Sequence, residues 1–148
     1  MPEKINVNFK KLDKNAIAPA YATEFAAGAD LYSLDESVTI EPGRTVMVHT
    51  GLALEIPEGL VGLIYARSGL ACKKGVAPAN KVGVIDSDYR GEIMVALHNH
   101  GNEAVSFERG ERIAQIVFTP YLFADFKECE ELDDTDRGAG GFGSTGTH

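Results

Sequence analysis

The sequence predicts an all-β protein, a sandwich or barrel of short strands. Apolar and polar residues alternate along most of the chain, and Gly, Pro and Asn signals separate the runs. Helix signals are scarce. At 148 residues, with 44% hydrophobic and 24% charged, the chain suits one globular domain whose core needs no disulfide or structural metal.

The elements follow in order. Ile5, Val7 and Phe9 alternate with polar residues and read as a strand with one wet face. Val38 and Ile40 run into the Pro42-Gly43 turn. Val46 and Val48 alternate with Thr45, Met47 and His49, which puts His49 on an exposed side. Leu52, Leu54 and Ile56 form a further strand, stopped at Pro57-Glu58-Gly59. Residues 60–65 are an apolar run of buried-strand type. Residues 82–85 supply another strand, as do Ile93, Val95 and Leu97. Gly101-Asn102 turns the chain into Val105 and Phe107, and Arg109-Gly110 into residues 113–118. One short helix is predicted over residues 68–74, with Ser68 near its N-cap and Gly75 as its stop. Residues 15–27 are Ala-rich, but Pro19 and the missing apolar stripe favour a loop or irregular strand.

Charge narrows the function. The net charge is −8. Residues 125–136 hold Asp125, Glu128, Glu130, Glu131, Asp133, Asp134 and Asp136 against the single base Lys127. Without a basic stripe the chain is poorly suited to nucleic acid or an anionic membrane. A small phosphate ligand held by a few focused cations and a metal ion fits better. Cys72 and Cys129 make neither a zinc spacing nor a disulfide framework, and free thiols suit a reducing, cytoplasmic setting. The Lys-rich start (Lys4, Lys10, Lys11, Lys14) resembles no signal peptide, and no apolar run is long enough to span a bilayer. Beyond Leu132, glycines crowd around Phe142. Such a segment does not order alone. It reads as a disordered tail or as an arm closing on a ligand, with Arg137, Phe142, Ser144 and Thr145 as its contact groups.

There is no P-loop and no nucleophile elbow. His98 and His100 share a strand face without a third ligand at suitable spacing, so they read as exposed edge histidines. Arg67, Ser68 and Gly69 follow a buried strand. They form either a phosphate-binding corner, with a guanidinium beside a helix start, or an N-cap with a surface arginine. Asp86 and Asp88 lie in the turn from Gly83 to Gly91, where carboxylates often serve only turn chemistry. If Val84 and Ile85 partly desolvate it, Asp86 becomes a general base. Tyr89 offers a flat face to a sugar or base. Gln115 sits at a half-buried strand position and needs a partner, either a ligand or backbone.

The order of these pieces carries more than any one of them. Ala27-Gly28-Ala29-Asp30-Leu31-Tyr32, Arg67-Ser68-Gly69-Leu70-Ala71, Gly83 through Gly91, Gly110-Glu111-Arg112-Ile113-Ala114-Gln115 and Arg137 through Gly146 follow one another. In this the chain resembles the trimeric dUTPases (deoxyuridine 5′-triphosphate nucleotidohydrolases) at all five family motifs. Glu111 stands where the family often has Asp.

The resemblance implies a jelly-roll-like β-sandwich of the dUTPase β-clip type over residues 1–124, an acidic linker over 125–136, and an arm over 137–148. It implies a homotrimer whose three sites lie between subunits. Each would take the first, second and fourth motifs from one chain, the third from a neighbour and the fifth from the remaining one. Asp86 would activate the water that attacks the α-phosphorus of dUTP, giving dUMP and pyrophosphate. Mg²⁺ would bridge the phosphates, with Asp30 reaching it through water and not as a direct ligand. Arg67, Ser68, Gly69 and Gln115 would hold the phosphate chain. Asn80, with Gly83, Val84 and Ile85, would read uracil, and Tyr89 would lie under the deoxyribose. From the arm, Phe142 and Gly143 would cover the base, Arg137 the phosphates, and Ser144 and Thr145 the γ-phosphate. The reaction would limit uracil in DNA and supply dUMP for thymidylate synthesis. Two alternatives were weighed. A dCTP deaminase on this fold needs a glutamate on the strand after the third motif, where Met94-Val95-Ala96-Leu97-His98 has none. A non-catalytic nucleotide-binding module would lack Asp86 or the arm.

Overall fold

The computed structural model describes residues 2–147, and it is built from ten strands and one short helix. The strands are β1 (Asn8–Lys11), β2 (Ala29–Tyr32), β3 (Ser37–Ile40), β4 (Thr45–Glu55) and β5 (Leu60–Tyr65), then β6 (Val76–Pro78), β7 (Gly83–Ile85), β8 (Glu92–Asn99), β9 (Val105–Glu108) and β10 (Arg112–Pro120). They pair antiparallel into two four-stranded sheets, β1-β4-β8-β6 and β2-β10-β5-β7, and a β3-β9 ribbon. The predicted all-β, jelly-roll-like class holds.

Period-two alternation does the positioning. In β8, Ile93, Val95 and Leu97 are buried while Met94, Ala96 and His98 point the other way. Leu31, Ile40, Val48, Phe107, Ile113 and Ile116 complete the core. The helix, Leu70–Lys74, is the expected one, but Ser68 does not cap it, because Gly69 precedes it in helical conformation and no side chain closes the end. Gly75 stops it in the left-handed region (φ 68°).

Four strands differ from the sequence reading. The two strands expected over 46–48 and 52–56 are the single strand β4, because Gly51 (φ 70°) makes a bulge and not a turn. β2 shows no alternation, since Ala29, Asp30 and Leu31 are all buried, and β6 is only three residues long. At the N-terminus the strand starts at Asn8, and Ile5 and Phe9 stay exposed. Residues 15–27 form a loop, tied down by a bridge between Ala20 and Asp30.

After β10, residues 121–147 contain no strand or helix. Leu122, Phe123, Phe126 and Leu132 are at least 85% exposed. Two of these, Phe126 and Leu132, lie within the acidic stretch. No helix among the described residues is long and apolar enough to cross a membrane.

Asn99 ties the ribbon to the larger sheet. Fully buried, it donates from Nδ2 to Ile40 O (2.9 Å) and Glu103 O (2.8 Å), and its Oδ1 accepts from Gly101 N (2.9 Å). Asn99→Ala leaves these backbone groups without that partner and is expected to cost about 2–3 kcal/mol. Urea unfolding checks this; an unchanged midpoint contradicts it.

Candidate active site

The predicted residues fall into three groups. The first lies on the β2-β10-β5 sheet, where Gln115 is in register with Asp30 on one side and Tyr65 on the other. Arg67 follows β5 by two residues. The Asp30 side chain is 9% exposed, and its Oδ1 accepts from Arg67 Nε at 2.9 Å. Arg112 Nη1 stands 3.5 Å from Oδ2. A carboxylate this deep is tolerated because two guanidinium groups share it. Among the described residues Arg67 hydrogen-bonds only through Nε, leaving its other N–H donors for a ligand.

Gln115 finds backbone as its partner: Nε2 donates to Ala66 O at 2.9 Å. Its amide lies over Gly28, where a Cβ would overlap Gln115 Oε1. Gln115 therefore holds the chain where Arg67 departs. Ser68 and Gly69 are exposed beside it. Arg112 and Gly28 were not singled out from the sequence. Arg112 reads as the exit of a turn, but a glycine two residues before a strand aspartate signals close approach of another group.

The second group is the hairpin from β7 to β8. Tyr89 N donates to Asp86 O at 3.2 Å, and Arg90 Nη1 donates to Ser87 O (2.6 Å) and Tyr89 O (3.1 Å). Tyr89 Oη donates to Glu92 O at 2.8 Å, and its ring lies against Gly91, where a Cβ would overlap the phenol. Asn80 is exposed, and its Nδ2 lies within 3.5 Å of where a Cβ on Gly83 would stand. The expected desolvation of Asp86 is not present in one protomer. Asp86 is exposed, Ile85 is half-buried, and Val84 is 61% exposed. Asp86 borders an open depression of ≈ 500 Å³ with Leu60, Val61, Leu63, Val84 and Tyr121.

The third group is the arm. Arg137 Nε donates to Gly140 O at 2.8 Å, the Phe142 ring is fully exposed with φ 51°, and Gly143, Ser144 and Thr145 are exposed. The single chain does not bring this group to either of the others.

Nor does it bring the first two together. Leu63 pairs with Val84 and Gly62 with Ile85, so Asp86 lies beside the start of β5 whereas Arg67 leaves its end. From Val61 to Tyr65 the strand alone spans roughly 13 Å, before the chain leaves it for Arg67. A general base works within hydrogen-bond reach of the reacting group, directly or through one water. The single chain places Asp86 and Arg67 near opposite ends of β5.

Among the described residues no three His, Cys, Asp or Glu side chains cluster as a metal cage. Both Asp30 oxygens face arginines. This donor set fits a hydrated ion carried by a polyphosphate and reached through water, and does not fit a chelated ion. His98 and His100 stack edge-on at 4.5 Å, and His98 Nδ1 meets Thr45 Oγ1 at 2.9 Å.

A family model described as dUTPase matches residues 14–146. Over 145 residues the chain is 54% identical to the deoxyuridine 5′-triphosphate nucleotidohydrolase of Desulfitobacterium hafniense, covering 97% of this chain and 96% of that one. It is 54% identical over 142 residues to the enzyme of that name from Nautilia profundicola, covering 96% and 99%. A solved Staphylococcus bacteriophage 80alpha dUTPase mutant with dUpNHpp superposes with TM-score 0.90 at 30% identity, over 97% of this chain and 100% of that one. A dUTPase mutant from phage phi11 of S. aureus, solved for its coordination of a structural Mg(II) ion, gives TM-score 0.80 at 25% identity, over 86% and 99%.

The contact between Gly28 and Gln115 is open to a direct test. Gly28→Ala is expected to lose about 1–3 kcal/mol through overpacking, and to cost clearly less when made in Gln115→Ala, whose own loss of the Ala66 bond is subtracted in the cycle; equal costs in the two backgrounds contradict the contact.

Proposed function

The chain belongs to the dUTPase family and is an enzyme of dUTP hydrolysis, and from that premise we propose how its residues divide the work. Water attacks the α-phosphorus of dUTP, releasing dUMP and pyrophosphate. Asp86 orients that water and takes its proton. Its exposure in the lone protomer is explained if a neighbouring subunit covers the hairpin in a homotrimer. The observation that carries this reading is the length of β5 between Asp86 and Arg67. A complete site then takes Asp30, Arg67, Ser68, Gly69 and Gln115 from one subunit, Asn80 to Tyr89 from a second, and the arm from the third.

Arg67 and the open backbone at Ser68 and Gly69 receive phosphate oxygens, with Asp30 and Gln115 fixing where Arg67 emerges. Asn80 and the backbone of Gly83, Val84 and Ile85 pair with the uracil edge. The Tyr89 ring lies under the deoxyribose and leaves no room for a 2′-hydroxyl. Hairpin walls exclude the thymine methyl sterically, because an apolar pocket alone discriminates one methyl by only about 1–3 kcal/mol. From the arm, Phe142 stacks on uracil beside Gly143, Arg137 meets the phosphates, and Ser144 and Thr145 bind the γ-phosphate. Mg²⁺, when bound, supplies charge neutralisation on the triphosphate. Asp30 would reach that ion through a water and not as a direct ligand.

In this reading residues 1–124 are the catalytic β domain, 125–136 the linker and 137–148 the arm; Met1 and His148 lie outside the described residues. The enzyme works in the cytoplasm, limits uracil in DNA and supplies dUMP for thymidylate synthesis. Its acidic surface engages neither nucleic acid nor membrane.

Asp86→Asn is expected to fold and trimerise but to lose about 10²–10⁴ in turnover, measured as pyrophosphate release with a sedimentation control. Full activity in that variant removes Asp86 as the base. Deleting residues 137–148 is expected to leave a stable trimer with little hydrolysis; undiminished hydrolysis removes the arm from the site. Pyrophosphate release is expected to favour dUTP over dTTP, dCTP and UTP and to need Mg²⁺, and ammonia release from dCTP contradicts the assignment.

A further inference from the structure

The β4 bulge and the start of β8 form a clamp that the reaction as described does not use. At Gly51 the ladder between β4 and β8 slips, and its pairing resumes at Ala53 with Glu92. The displaced Gly51 N–H is received by Glu92 Oε2 at 3.0 Å. The two Glu92 oxygens also lie 3.0 and 3.1 Å from His49 Nδ1. Buried Thr50 donates from Oγ1 to Ile93 O at 2.6 Å. Three side-chain bonds thus fasten the first two residues of β8 to the bulge. On the other side, the Glu92 carbonyl accepts the Tyr89 hydroxyl.

We propose that Glu92 and His49 are positioning residues for sugar selection, holding the Tyr89 ring at fixed depth through the bulge in β4. This rests on the reading of Tyr89 as the wall under the deoxyribose. Neither side chain touches substrate. Their effect passes along the backbone: carboxylate to bulge, bulge to strand start, strand-start carbonyl to phenol. A sterically selective wall discriminates only while it is rigid, since small displacements of a positioning group are costly. Simple glue would lower stability and leave sugar selection unchanged.

The electrostatics support the pairing. The His49 pKa is raised above its ordinary 6.5, first by the hydrogen bond to Glu92, against desolvation, and then by the charges of Glu92 and Asp35. Asp35 also receives the His49 backbone N–H at 3.0 Å. The stabilisation from protonated His49 is therefore fully present below pH 6.5, the ordinary value, and fades as pH rises through the raised one. His49, expected to be an exposed strand residue, is the half-buried centre of an ion pair.

The test measures kcat and KM for dUTP and UTP in Glu92→Ala, His49→Ala, Glu92→Gln and Tyr89→Ala trimers, with melting temperatures. Glu92→Ala and His49→Ala are expected to lower the dUTP-over-UTP preference in kcat/KM about tenfold while kcat for dUTP stays within about twofold. Glu92→Gln keeps the length and one acceptor and is expected to restore most of the preference. The melting difference between wild type and His49→Ala is expected to narrow in alkaline buffer. If Tyr89→Ala loses the preference while Glu92→Ala and His49→Ala keep it, the clamp is structural only and the proposal is overturned. If Tyr89→Ala keeps the preference, the wall reading itself falls, and the proposal with it. Should Glu92→Ala fail to fold, the more exposed His49→Ala decides alone.

Discussion

Strand β5 is a spacer as much as a core element. It pairs with β7 at one end and leads into Arg67 at the other, so the hairpin carboxylate and the arginine corner are held apart by its length. Antiparallel pairing leaves little slack, because a one-residue slip would turn Ile64 outward and Leu63 inward. Side-chain motion does not change a separation that the strand itself sets at roughly 13 Å. In the reading proposed above the catalytic constellation comes from more than one copy, and the rest of the chain accords with it. The arm ignores its own globule, and the apolar residues ahead of it remain in water. A glycine-rich segment of this kind gains order only where a ligand and a neighbouring subunit supply the contacts.

The same arrangement explains how an acidic chain handles a polyanion. Asp125 to Asp136 concentrates negative charge in a segment outside the sheets. At the corner itself one buried carboxylate, Asp30, is outweighed by two arginines. The carboxylate orients Arg67 by one nitrogen and leaves the rest of its fork available. Gln115 performs the matching task for the backbone. The contacts of the first group are in place without a ligand, which in the proposed reading lowers the cost of binding. The hairpin is rigid in a different way, with Arg90 and Tyr89 tying its turn to itself and Glu92 tying its exit to the bulge.

Much of this was legible in the sequence. Strands with one buried face announce themselves by alternation, as in β8 and β9. The order of motifs identified the family. What escaped had physical causes. β2 is covered on both faces and so lacks a period. β4 reads as two strands because a glycine at a bulge looks like a glycine at a turn. Gln115 and its backbone partner Ala66 are far apart in sequence, and so are His49 and Glu92. Asp86 was expected to be desolvated by its neighbours in the chain, but a hairpin tip is exposed until something packs on it. Sequence order alone does not reveal that β5 separates two motifs by its own length.

The most direct measurement mixes two inactive enzymes. Trimers carrying Asp86→Asn keep their arms, whereas trimers lacking residues 137–148 keep their carboxylates. After joint unfolding and refolding, random assortment puts an intact hairpin and an intact arm at one site of every hybrid trimer. Activity should return to roughly a quarter of the wild-type level at equal mixing. If hybrids form, as shown by mass, and no hydrolysis returns, base and arm do not come from different subunits.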